Sequence, residues 1–205
     1  MTLTLSGKDI FGNEDLSAAY RERIQRFGFS AECMYYRSND QHVQKLAAVA
    51  KAISGIPTEC KSSILDVGCG YGALLGVVDI EPGSYLGIDI VPEFVIEASK
   101  NYPGYSFAEK DAFSTDLKQA DTCLLGGVLS SAVEPEKLLR RVLGLARHRV
   151  IFDISVAERF PRNFADLNKT TLPRIVCILS ESGFLVESAI DSGATWVMLV
   201  GRPAV

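Results

Sequence analysis

Short apolar runs alternate in this chain with longer stretches in which apolar residues recur every third or fourth position, the pattern of strands interleaved with helices. The runs at Cys60 to Val67, Tyr85 to Asp89, Tyr105 to Ala108, Asp121 to Leu125 and Arg149 to Val156 read as strands. Phe184 to Ala189 and Thr195 to Val200, separated by Asp191-Ser192-Gly193, read as a hairpin-connected sixth and seventh strand. A helix is expected from Ser38, with Gln41 completing a capping box and Val43, Leu46, Ala47, Ala50 and Ile53 on one face; Gly55 and Pro57 end it. Further helices are expected after the glycine-rich segment that follows Val67, from Pro92 to near Asn101, around Leu138, Leu139, Val142 and Leu143, and around Leu172, Ile175, Val176 and Leu179. The fold class is therefore α/β: a seven-stranded, mostly parallel sheet with an antiparallel last strand and helices on both faces.

The first forty residues differ in character. Tyr20, Phe27, Phe29, Tyr35 and Tyr36 are interleaved with Arg21, Arg23, Arg26 and Arg37, so residues 1–40 are expected to form a helical cover over the mouth of a sheet domain spanning 41–205. The polar stretch from Glu158 to Thr171, with Arg159, Phe160, Arg162 and Phe164, reads as a functional loop or lid that contributes Glu158, Arg159 and Arg162 to substrate contacts.

The chemistry concentrates in Asp66-Val67-Gly68-Cys69-Gly70-Tyr71-Gly72, which follows the first strand and is answered by Asp89 at the end of the second. The glycines permit a sharp turn and close approach to a ligand, and a carboxylate at a strand tip can accept both hydroxyl hydrogens of a ribose. Gly68-x-Gly70-x-x-Ala73 also fits the loose dinucleotide fingerprint. Two features favour S-adenosylmethionine over NAD: the D-x-G-x-G-x-G spacing, and an anionic Asp66 beneath the loop, which repels a pyrophosphate and suits a cationic ligand.

On these residues the chain, from about residue 60 to 203, resembles the Rossmann-like class I S-adenosylmethionine-dependent methyltransferases, small-molecule type. The antiparallel ending also resembles the sheet of that class rather than a two-halved dinucleotide-binding domain. The resemblance implies that Asp66, Gly68, Cys69, Gly70, Asp89 and Ile90 hold the cofactor, and that Asp111 bonds the adenine amino group with Ala112 and Phe113 along the ring. It implies too that Tyr36 and Arg37 cover the methionine moiety, with guanidinium meeting carboxylate and phenol shielding the methyl group. Alternatives stay open: Asp111 as a turn residue, and the Tyr36–Arg37 pair as packing between cover and sheet. Gly126-Gly127 after the fourth strand either opens the sheet edge for donor and acceptor or is a plain turn.

Composition narrows the function. An apolar fraction of 47% and no apolar stretch of membrane-spanning length point to one soluble, cytoplasmic domain, without a signal-like N-terminus. Five widely spaced cysteines without C-x-x-C argue against a disulfide framework or zinc site. At net charge −4 the chain is poorly suited to a polyanion, and the cluster Lys137, Arg140, Arg141, Arg147 and Arg149 reads as a solvated face.

Only His42 and His148 offer an imidazole base; His148 sits at a helix end, so His42 is the candidate, with Glu158, Tyr35 or no base as alternatives. No oxygen-ligand cluster follows the fourth strand, so no metal is expected. The reading is a metal-independent methyltransferase acting on oxygen or nitrogen of a small-molecule acceptor, as a monomer or homodimer, releasing S-adenosylhomocysteine. A non-catalytic binder of the cofactor and an aminopropyl-type transferase are the alternatives.

Overall fold

The computed structural model describes residues 13–155, 171–193 and 195–203. Seven strands form one sheet: β1 (Ile64–Val67), β2 (Tyr85–Asp89), β3 (Ser106–Glu109), β4 (Ala120–Leu125), β5 (Ala146–Ser155), β6 (Leu185–Asp191) and β7 (Thr195–Gly201). Their order is β3-β2-β1-β4-β5-β7-β6. β1 to β5 run parallel, and β7 lies antiparallel between β5 and β6. The order reverses between β1 and β4, and ligands of open α/β sheets bind outside the strand ends at that point.

Alternating strand residues divide the core into two layers. Leu65, Val67, Cys123, Leu125, Val150 and Phe152 pack on α4 (Pro135–Leu145) and α5 (Leu172–Glu181) through Leu139, Val142, Leu143 and Ile178. Ile64, Leu124, Ile151, Val197 and Leu199 face α2 (Asn39–Gly55) through Ala48, Val49, Ala52 and Ile53. Each large apolar side chain removed from water in these layers contributes about 1.5–3 kcal/mol. A third cluster joins α1 (Asn13–Phe27) to α3 (Pro92–Asn101) through Tyr20, Ile24, Cys33 and Phe94.

The Ser38 cap forms as expected, its Oγ accepting from Gln41 N at 3.3 Å, while Gln41 Oε1 accepts from Arg37 N. The buried face of α2 differs from the periodic reading. His42, Lys45, Ala48, Val49, Ala52 and Ile53 point inward, whereas Val43 is half exposed. The buried face is turned toward Lys45 because Asp153, far along the chain, supplies the carboxylate that lets its ammonium leave water. In α5, likewise, Ile175, Ile178 and Leu179 are buried while Leu172 and Val176 are exposed.

Two other expectations change. β1 begins at Ile64, and Cys60 lies in a 3-10 turn, Thr58–Lys61. The helix expected after the glycine loop is one 3-10 turn, Ala73–Gly76, because Gly76, the β-branched Val77 and Val78, and Pro82 leave little room for propagation. The region from Glu158 to residue 170, with Glu158, Arg159 and Arg162, lies outside the described residues.

The β1–β2 pairing sets Ile64 opposite Tyr85, and the Tyr85 hydroxyl donates to Asp66 Oδ2 at 2.7 Å beneath the loop. Burial outweighs that hydrogen bond and lifts the Asp66 carboxyl from 3.8 to about 6.

Two predictions follow from this framework. Ser38→Ala should lower stability by about 1 kcal/mol in urea unfolding, since the Gln41 amide loses its partner. A carboxyl whose native pKa lies above its unfolded value takes up protons on folding. Its stabilising contribution is thus present in acid and lost as pH rises from about 4 to about 6. Asp66→Asn should therefore gain stability relative to wild type across that interval in urea midpoints taken at several pH values; a flat difference would deny Asp66 the shift.

Candidate active site

A cavity of about 360 Å³ opens at the ends of β1, β2 and β4. That volume suits a small cofactor. Its floor is Val67, Gly68, Asp89 and Ile90; Lys110, Asp111, Ala112 and Phe113 form one side, Gly126, Gly127 and Val128 the other. Leu16, Tyr20, Met34 and Tyr36 roof it, with Ser131 on the far rim.

The glycine loop is built to approach a ligand. Gly68 and Gly70 have φ of 74° and 56°, and a Cβ on Gly68 would lie 2.2 Å from Val128. Asp89 fixes the loop: Oδ2 accepts from Gly70 N and Oδ1 from Val91 N, both at 2.9 Å. Each oxygen keeps a lone pair for a further donor. Burial outweighs these amide contacts and raises the Asp89 carboxyl to about 6. A Cβ on Gly126 would meet nothing within 4 Å, so glycine there leaves ligand space open.

Of the residues expected to bind cofactor, Tyr36, Gly68, Asp89, Ile90, Asp111, Ala112, Phe113 and Gly126 line this one cavity. Asp66, Cys69 and Gly70 lie beneath or behind its wall. Burial, with Asp66 and Asp89 nearby, pushes the Cys69 thiol far up, which suits a packing residue rather than a nucleophile. Arg37 is exposed and off the wall, because the chain turns at Tyr35, φ 64°, and directs Tyr36 inward instead. Arg23 holds that strained turn: its guanidinium sits 3.8 Å from the Tyr35 ring centroid and donates to the Glu32 and Cys33 carbonyls.

His42 also departs from expectation. It lies outside the cavity wall, stacked behind the Tyr36 ring at 4.5 Å, and burial together with Lys45 pushes its imidazole down to about 4. A neutral, weakly basic ring behind Tyr36 is placed to support that residue rather than to take a proton.

Two residues escaped the sequence reading. Lys45 Nζ lies 3.1 Å from Asp153 Oδ2, both side chains only 6% exposed, and Asp153 Oδ1 accepts from Gly127 N. Lys45 Nζ also lies over the Tyr36 ring, 5.4 Å from its centroid, and borders Gly127 together with the Tyr36 hydroxyl. Burial opposes the Lys45 charge, but Asp153 and Tyr36 together outweigh it and hold the ammonium above its ordinary range. The one signal available was an aspartate inside an otherwise apolar strand, which needs a buried partner. Arg141, assigned to a solvated face, instead donates to the Ala112 and Ser114 carbonyls at 3.0 and 2.8 Å and fixes the loop beyond β3.

The remaining cations of that cluster each meet a carboxylate: Lys137 with Glu134, Arg140 with Glu181, Arg147 with Asp121 and Arg149 with Glu187. Among the described residues no helix is long and apolar enough to cross a membrane, and no group of three His, Cys, Asp or Glu converges as a metal site.

Comparison with known proteins agrees with this geometry. A Mycobacterium tuberculosis protein named provisionally as a methyltransferase is 36% identical over 70 residues, 33% of this chain and 42% of its own length. The chain thus matches less than half of that relative. The magnesium protoporphyrin IX methyltransferase of Synechocystis PCC 6803, solved with bound S-adenosylmethionine, superposes with TM-score 0.67 at 18% identity, covering 99% of this chain and 100% of that one. An N-methyltransferase of Bradyrhizobium japonicum WM9 superposes with TM-score 0.60 at 14% identity, over 82% of this chain and 99% of its own. Identities so low establish a shared fold. The family described as "Methyltransferase domain" matches residues 59–191. With well over half of its length inside that match, the chain belongs to the methyltransferase-domain family, and its sheet is that of the S-adenosylmethionine-dependent class I fold.

Proposed function

We propose that the protein transfers a methyl group from S-adenosylmethionine to oxygen or nitrogen of a small-molecule acceptor, without a metal. The observation that carries this reading is Asp89: it binds the glycine loop through Gly70 N and still offers lone pairs to the cavity. A vicinal diol would donate there, and Asp111, Ala112 and Phe113 stand along the side where a base would lie. Buried anionic groups at Asp66 and Asp89 suit a ligand carrying positive charge and oppose a pyrophosphate.

The cofactor, when bound, supplies a methyl group already activated on a sulfonium. The protein's share is then orientation and exclusion of water, which a roofed cavity provides. Tyr20, Met34 and Tyr36 form that roof, which supports the division into a cover, residues 1–40, and a sheet domain, 41–205. The size of the cavity and the pairing of surface cations with carboxylates favour a small acceptor over a nucleic acid. The named activities of the magnesium protoporphyrin IX methyltransferase and a mitomycin 7-O-methyltransferase of the same fold lend support. A soluble cytoplasmic monomer or homodimer completes the proposal.

Calorimetry with S-adenosylhomocysteine tests it. Wild type should bind, Asp89→Ala should bind about 1.5–3 kcal/mol more weakly as charged hydrogen bonds to the ribose are lost, and NAD should give no heat. NAD binding without S-adenosylhomocysteine binding would overturn the assignment. Binding without turnover of S-adenosylmethionine across acceptor pools would reduce the protein to a non-catalytic binder.

A further inference from the structure

Tyr36, Lys45 and Asp153 form a buried polar chain at the Gly127 end of the cavity, away from the groups assigned to ribose and base. Neither holding the cofactor's nucleoside nor filling the α2 layer calls for it. Asp153 lies on β5, where an apolar residue would pack as Ile151 does two positions earlier. Burying two charges costs more than an apolar pair of equal volume unless the pair has some further use.

Hydrogen-bond accounting shows where the polarity goes. An ammonium donates and cannot accept. Lys45 Nζ sits 3.1 Å from Asp153 Oδ2 and over the Tyr36 ring, 5.4 Å from its centroid, and it borders Gly127 together with the Tyr36 oxygen; an ammonium on that side draws a phenol lone pair toward itself and turns the phenol hydrogen away from Lys45. Tyr36 lines the cavity and Lys45 does not. The open direction for that hydrogen is the cavity. A hydroxyl that accepts from an ammonium becomes a stronger donor. Its ring is fixed by the His42 stack at 4.5 Å and 26°, and its oxygen lies 3.5 Å from where a Gly127 Cβ would stand.

The charges facing this end decide what it accepts. The acids on the cavity wall, Asp89, Asp111 and Glu134, belong to β2, the loop after β3 and the start of α4. Among the described residues no carboxylate lines the Tyr36–Gly127 end, and His42 is screened from it by the Tyr36 ring. Among the described residues an ammonium acceptor would find no base at that end for its proton. An acceptor that is ionised in neutral water needs none.

We infer that the acceptor is a small carboxylic acid or acidic phenol or enol, bound as its oxygen anion by the Tyr36 hydroxyl, with Lys45 as the residue that positions Tyr36. This rests on the methyltransferase reading above. The step balances without a protein base: the acceptor proton has already gone to solvent and an oxygen lone pair forms the new O–C bond. The S–C pair returns to sulfur, leaving an ester or ether and a neutral thioether. A single donor orients the anion while leaving its other lone pairs free to attack.

The test offers S-adenosylmethionine with two matched pools, one of small carboxylic acids and phenols and one of primary and secondary amines, following S-adenosylhomocysteine release. Turnover should be confined to the acid and phenol pool. Tyr36→Phe, which keeps the stacked ring, should lower kcat/KM for the best acceptor by about ten-fold or more, well beyond any change in S-adenosylhomocysteine affinity read in parallel by calorimetry. The Cζ resonance of labelled Tyr36 should move in Lys45→Met and return in Lys45→Arg. Tyr36→Phe keeps the inference open to refutation even if Lys45→Met does not fold. Turnover of amines alone, no turnover of the acid and phenol pool, or an undiminished Tyr36→Phe would overturn it while leaving cofactor binding intact; loss of cofactor binding in wild type would instead overturn the methyltransferase reading.

Discussion

The ion pair between Lys45 and Asp153 ties together more of this molecule than any other single contact. It joins α2 to β5, and through Asp153 it holds the Gly127 amide, so the turn leaving β4 takes its shape from a carboxylate on the neighbouring strand. Through Lys45, whose ammonium lies over the Tyr36 ring, it brings the cover against the sheet. A lone charge in such a place would cost several kcal/mol, so each partner makes the other obligatory. The rotation of α2 about its own axis, with His42 turned inward behind Tyr36, follows from the same requirement.

Asp89 performs the corresponding service at the other end of the cavity. Its two oxygens are spent on backbone amides of the glycine loop and of the turn after β2, which fixes the separation of the two strand tips. A carboxylate so used is a strut, and burial raises its pKa in spite of the amides it accepts from. The two ends therefore differ in chemistry: charged groups at the Asp89 end, and a phenol at the Gly127 end.

The roof depends on a strained residue. Tyr35 has a positive φ that a side chain ordinarily avoids, and Arg23 and Tyr20 pack on its ring from α1. That turn parts two neighbours expected together over the ligand, sending Tyr36 into the cavity and leaving Arg37 at the surface. The interleaved arginines and aromatics of the first forty residues are therefore partly scaffold, stacking on one another to present one phenol to the site.

Local pattern was enough to determine the strand sequence, the Ser38 cap, the Pro92 helix start, the antiparallel ending and the glycine loop answered by Asp89. Each of these depends on residues close together in the chain or on a period that burial imposes. It was enough, too, to bring most of the cavity wall together, because parallel strands place their carboxyl ends side by side. The short turn in place of a helix after the glycine loop was also encoded locally, in Gly76 and Pro82, though the motif suggested otherwise. The direction of Tyr36 against Arg37, the retreat of His42, the clamp of Arg141 and the pairing of Lys45 with Asp153 were decided only by the tertiary structure. Periodicity assigns a lysine to water, and it reaches the interior only when a distant strand supplies the carboxylate that makes its burial tolerable.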